Sequence, residues 1–339
     1  MKNTTIKYIV HEGYKHLANR SVPLYTEFRK YASSPYIEDI RRLDTVSRNL
    51  EMLHKTGDIA KLIDRKRSFA DLINMTDMAI PPAFKPNTPE QSLALASTAI
   101  RNKRGIKTFD QLMEKAKITS FEITDKQAGV MDVRHSDGKH ARIFGVYFDP
   151  TRLAYSAMVN LHELIHSLQD EIFHISQTIE NLRKIQGITS FFDQINKDKE
   201  LAALMMKVAL ESHMLDFLAL SQVRHIAKKA GVPDRELDLF LKENIPKVNF
   251  LSALTEGEAY VSQVDILGYA PDIASNNVIK ASYQTMAMAD MFLAVDLPPK
   301  QRIYMIGIGL AGFFEQSPQM RNEFLNSPKI IQEFNTAYF

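Results

Sequence analysis

The chain is expected to be an α+β protein, predominantly α-helical, with one small antiparallel sheet set ahead of its central helices. Three observations predict this. From Asp149 onward, apolar residues recur at helical spacing almost without interruption, broken at "AGVPD", "YAPD", "DLPPK" and two Ser-Pro steps. Ahead of them, "KITSFEIT", "GVMDVRH" and "ARIFGVYF" are short segments of strand-forming residues; "SDGK" joins the last two, and its Asp137-Gly138 pair suits a hairpin turn. Finally, 45% of the 339 residues are apolar, enough for a substantial buried core.

Taken in order, residues from about 36 to 76 carry helical periodicity with mixed charges. "AIPPAFKPNTPEQ" then gathers Pro81, Pro82, Pro86 and Pro89, which marks 81–90 as a boundary between an N-terminal helical region, 1–80, and a main domain, 91–339. Thr88 followed by Pro89 reads as a helix start, a capping hydroxyl ahead of a first-turn proline, and the helices that follow run to about Lys117. After the sheet, Asp149 and Pro150 are expected to open a long helix as cap and first residue. "GIGLAG", Gly307 to Gly312, matches a dinucleotide-loop pattern, but too little chain follows for a full βαβ unit. Its small residues are read as permitting close helix packing. Met286, Met288 and Met291 are read as core filler.

Composition removes several functions. A net charge of +2, from 42 basic and 40 acidic residues, gives no reason to expect a nucleic-acid partner, and "DRKRS" and "RNKRG" read as solvated helix faces or turns. With no cysteine, disulfides, thiol catalysis and cysteine metal sites are excluded, so any metal must be held by His, Asp or Glu. "MKNTTIKYIVHEGYKHLANR" has no signal-peptide core, and "IYMIGIGLAGFF", between Arg302 and Glu315, is too short to span a bilayer. A cytoplasmic protein without a membrane span is expected, export without a signal also being compatible; the oligomeric state is not legible.

The stretch that carries chemistry is "MVNLHELIHSLQD", Met158 to Asp170. Leu153, Ala157, Leu161, Leu164 and Leu168 form one apolar stripe, so the helix is buried. At about 100° per residue, His162 and His166 lie roughly 40° apart on another face, one turn from each other, and can converge on a single ion. Glu163 sits about 100° to one side, too far round to bind the same ion but placed to reach a water beside it. Two neutral imidazoles and a carboxylate would leave Zn2+ one open position, where a water's pKa falls toward about 7 and a neighbouring carboxylate can take its proton.

"VNLHELIHSL" resembles the active-site helix of the zincin metallopeptidases at each position of their HExxH pattern. The metzincin subgroup is excluded, because the positions for its Gly and third His hold Gln169 and Ile172; His174 lies about 12 Å further along the helix axis. "LTEGEAYVSQ", residues 254–263, looks like the glutamate-bearing helix of gluzincins, which implies Glu256 as third ligand. Glu256 shares a face with Ala253, Tyr260, Val264 and Leu267, where a buried carboxylate is costly unless partnered. Glu258 points about 200° away and reads as the more solvated. It stays open as an alternative ligand, as do Glu211 and His213 in "ALESHMLDF".

The chain departs from the family in two respects. Glu256 follows His166 by 90 positions (256 − 166), so a helical insertion at about 175–250 must be accommodated, and Tyr260 stands where an Asp is expected. Asp170 is then a candidate to orient a ligand histidine. The "HELIHSLQ" string with the later "EGEAY" looks most like an uncharacterised bacterial putative-metallopeptidase domain, over residues 141 to 265. The resemblance implies one Zn2+ per chain on His162, His166 and Glu256, with Glu163 as general base and Tyr260 or His213 stabilising the oxyanion. The substrate would be a peptide or protein. The competing reading is a catalytically inactive, zincin-like helical interaction module.

Overall fold

The computed structural model describes residues 4–31, 66–124, 129–134, 140–169, 233–295 and 301–338, with four isolated positions between 48 and 55. Over these residues the chain is predominantly helical. The helices are α1 (Thr4–Tyr31), α2 (Lys66–Ala79), α3 (Pro89–Arg104), α4 (Phe109–Ala116), α5 (Leu153–Ser167), α6 (Asp234–Ile266), α7 (Pro271–Ala274), α8 (Asn277–Ala294), α9 (Gln301–Gln316), α10 (Pro318–Leu325) and α11 (Pro328–Tyr338). The strands are β1 (Ser120–Thr124), β2 (Gly129–Arg134) and β3 (His140–Tyr147).

Local chemistry accounts for several boundaries. The Thr88 side chain accepts the Gln91 N–H at 3.2 Å and Pro89 opens α3, as the sequence suggests. Gly105, at φ 65°, then ends α3 in the left-handed conformation that favours glycine. In α4 the Thr108 side chain and Gln111 form a reciprocal capping box.

The sheet differs from the expected antiparallel one. Its order is β1-β3-β2: β2 runs antiparallel to β3, whereas β1 runs parallel to β3, pairing Ser120 with Ile143 through Thr124 with Tyr147. Alternating strand composition specifies which faces are apolar but not which strand takes the centre, and here the last strand separates the first two. The expected Asp137-Gly138 turn lies outside the described residues, as does most of the proposed 175–250 insertion.

One apolar core runs through the described helices. α6 and α9 pack along each other, α1 lies on α9 and α8, α2 lies on α8, and α5 lies between α3 and α6. The N-terminal helix belongs to this core, with Ile6, Val10, Tyr14 and Leu17 buried beside residues of α9. Arg20 of α1 ties it down by pairing with Glu315 of α9 at 2.6 Å and with Asp265 of α6.

The glycines of "GIGLAG" make the close approach possible. A Cβ on Gly307 would stand 1.8 Å from the Ala253 carbonyl oxygen of α6, and one on Gly257 would stand 1.9 Å from the Gly307 carbonyl oxygen. On the other side of α9, a Cβ on Gly13 of α1 would stand 1.7 Å from the Gly309 carbonyl oxygen. Backbone-to-backbone packing on both sides of α9 is thus the use of this stretch. Met286, Met288 and Met291 are buried in the same core. Among the described residues, no helix is long and apolar enough to cross a membrane.

Candidate metal centre

The site is built on α5, whose position is set by hydrogen bonds to three neighbouring elements. Asn160 accepts the Tyr147 N–H and donates to the Tyr147 carbonyl, both at 2.9 Å, and also donates to Ser92 Oγ at 2.8 Å. Its buried amide thereby continues the ladder of β3 and joins α5 to α3. The helix begins at Leu153 rather than Pro150, because the Asp149 carboxylate accepts the Thr151 N–H and hydroxyl in a local turn. Buried Asp77 of α2 accepts the Ala154 N–H at 3.3 Å instead, placing a carboxylate at the helix N-terminus.

His162 and His166 project from the last turns of α5 toward Glu256 of α6. They are 8%, 9% and 4% exposed, respectively. Their ligand atoms form a small triangle: the two Nε2 atoms are 3.0 Å apart, and Glu256 Oε2 lies 3.6 Å from His162 Nε2 and 3.4 Å from His166 Nε2. Ligand bonds of about 2.0–2.2 Å at tetrahedral angles place neighbouring donor atoms about 3.3–3.5 Å apart. The triangle therefore has the size of a tetrahedral metal's ligand face, and this His-His-Glu group could hold a metal ion.

Hydrogen bonds behind the rings decide which nitrogens face the triangle. Gln169 donates its side-chain N–H to the Thr255 carbonyl at 2.9 Å, so its oxygen is the end that meets His166 Nδ1 at 2.8 Å. Gln263 donates to the Ala287 carbonyl at 3.3 Å and to Asp290 at 3.1 Å, so its oxygen meets His162 Nδ1 at 3.2 Å. An amide oxygen only accepts, hence both Nδ1 atoms carry hydrogen. In their neutral state both rings then direct Nε2 lone pairs at the triangle beside a carboxylate, an arrangement that calls for a cation. Without a metal a proton supplies it. Burial, the largest single influence, lowers the His166 pKa, but the Glu256 charge and hydrogen bond, with Glu163 and Gln169, outweigh it and push it up to about 9.

Glu163 is half-buried at the border of this group. Its Oε2 lies 3.8 Å from where a Cβ on Gly129 would stand, so β2, an edge strand, brings backbone without a side chain against the carboxylate. Tyr260 lies over His162 with ring centroids 4.3 Å apart, and the ring of Tyr304 of α9 stands edge-on to it at 5.6 Å. Burial raises both phenol pKa values; among the charges, Asp290 adds most for Tyr260, and Glu256, then Glu163, for Tyr304.

Glu258, the alternative third ligand, points away and makes a two-pronged ion pair with Arg321 of α10, the Nη2–Oε2 arm at 2.9 Å. It is a partnered carboxylate rather than a solvated one. Glu211, His213, Asp170 and His174 lie outside the described residues. Sequence reasoning did not single out Gln169 and Gln263 as supports, although Gln263 is seven residues after Glu256 and so on its face. Asp290 and Tyr304 come from other helices and had no local signal. Comparison with known proteins adds nothing to this geometry, since no family model, curated protein or solved structure matches the chain.

Proposed function

We propose that this chain is a zinc-dependent metallopeptidase of gluzincin type, hydrolysing peptide or related amide bonds. The observation that carries the reading is the convergence of two Nδ1-protonated histidines and Glu256 within 3.0–3.6 Å of one another. Two imidazoles and one carboxylate are a donor set suited to zinc with an open fourth position. When bound, Zn2+ would polarise the scissile carbonyl and bring the attacking water's pKa toward about 7. His162, His166 and Glu256 would hold it.

The other roles belong to the chain. Glu163, on the next face of α5, accepts the proton of the attacking water and passes it to the leaving amine. Tyr260 and Tyr304 keep their protons because burial and nearby carboxylates hold their pKa values high, so each is fit to donate a hydrogen bond to the oxyanion. The partner would be a peptide or protein substrate. The test is hydrolysis of a broad peptide library near neutral pH, with loss on chelation and recovery on adding Zn2+. Hydrolysis indifferent to chelation would overturn the reading; zinc held with no hydrolysis would favour the interaction module.

A further inference from the structure

The support behind His162 extends one residue further than that behind His166. Gln169 is anchored by a main-chain carbonyl. Gln263 is anchored partly by a side chain: its N–H group spans the Ala287 carbonyl and the Asp290 carboxylate, which stand about one turn apart on α8. The other oxygen of Asp290 accepts the Tyr155 hydroxyl at 3.1 Å. Tyr155 lies on α5, seven residues before His162 and therefore on the same face. The bonds close a circuit from α5 through α8 and α6 back to α5.

An amide has two chemically different ends, and reversing Gln263 would present its N–H group to His162 Nδ1. The ring would then be favoured with its hydrogen on Nε2, the atom that faces Glu256 and His166. The Ala287 carbonyl, at 3.3 Å, is the longer of the two bonds that oppose this reversal. We infer that Asp290 is a positioning residue for the metal centre: acting through Gln263, it keeps His162 protonated at Nδ1 and leaves Nε2 free for the ion. The inference rests on the metal-binding reading of the His-His-Glu group, but the orientation of His162 is a property of the chain alone.

Nitrogen NMR of the imidazoles in metal-free protein, in alkaline buffer, reads the hydrogen's position directly. Both rings of the wild type should carry it on Nδ1. Asp290→Leu, with the same branching but no acceptor, should give His162 a mixture of the two forms while His166 is unchanged. Its Zn2+ dissociation constant, measured by chelator competition, should rise about 10- to 100-fold. Asp290→Asn should rescue both readouts, since an amide oxygen can accept from Gln263 while its N–H donates to the Tyr155 hydroxyl. Gln263→Met should reproduce the loss, and adding Asp290→Leu to it should cost little more, because the two act in series. If Asp290→Leu does not fold, an unshifted His162 in Gln263→Met overturns the inference, as does an Nε2-protonated His162 in the wild type. Failure to bind Zn2+ with the wild-type Nδ1 pattern intact would instead count against the metal reading.

Discussion

Glu256 and Glu258 stand two residues apart on one helix and meet opposite surroundings. Glu258 is answered by a guanidinium that the chain itself supplies, Arg321. Glu256 is turned inward against two imidazoles whose hydrogens are held on their far side. The first is a closed ion pair between α6 and α10; the second is a set of acceptors that could hold a metal ion. Two carboxylates of the same type and helix thus separate into the partner of an arginine and a candidate metal ligand, because each residue rotates the side chain by about 100°.

The largest expected effect sharpens that division by keeping the ligands and removing the chemistry. Glu163→Gln should leave metal content and fold intact while turnover falls by about 10²- to 10⁴-fold, read as kcat on any peptide that the wild type cleaves. Equal turnover in both proteins would remove Glu163 from the reaction. The next compares the pair directly. Glu256→Gln should weaken Zn2+ binding by more than tenfold in a chelator competition, whereas Glu258→Gln should leave affinity near wild type and lower only thermal stability. The reverse pattern would mean that the inward face of α6 has been misassigned.

The helix phase that puts Glu256 inward also requires Gly257 against α9. Gly257→Ala should therefore destabilise the fold by about 1–3 kcal/mol or more in denaturant unfolding, since the added Cβ meets backbone rather than a movable side chain. A neutral result would show that the seam is looser than the 1.9 Å approach implies.

A smaller effect is expected with pH. The metal-free fold holds His166 at about 9, above the ordinary 6.5, so the folded state binds more protons than the unfolded one between these values. The stabilisation is fully present below about 6.5 and is lost as pH rises toward and through 9. Metal-free melting temperature should fall across that window, and less so when Zn2+ occupies the site, because the ion replaces the proton. His166→Gln should flatten the metal-free profile.

Much of the candidate site was legible because its logic is local. His162, Glu163 and His166 are related by helical spacing alone, and the distinction between Glu256 and Glu258 follows from a rotation along one helix. The α3 start was legible for the same reason, through Thr88 and Pro89. The α5 start was not: Asp149 and Pro150 have the right composition, but Asp149 spends its carboxylate on Thr151, and a residue of α2, Asp77, meets the first turn. The sheet shows the same limit. The antiparallel β2–β3 pair could be read from neighbouring segments, whereas the parallel alignment of β1 with β3 depends on which strand becomes central. Gln169 and Gln263 sit at readable spacings, yet their importance depends on what holds their amides, the Thr255 carbonyl for Gln169 and the Ala287 carbonyl with the Asp290 carboxylate for Gln263. Asp290 and Tyr304 become neighbours of the site only once α8 and α9 have packed.

The most direct measurement is the number of metal ions per chain, by elemental analysis of protein purified without added metal and then loaded with Zn2+ and desalted. One ion per chain is expected in the wild type, and most of it should be missing from both His162→Ala and His166→Ala, since each removes one of the three proposed protein ligands. A wild type that retains no ion, or two histidine variants that both retain a full equivalent, would contradict the account.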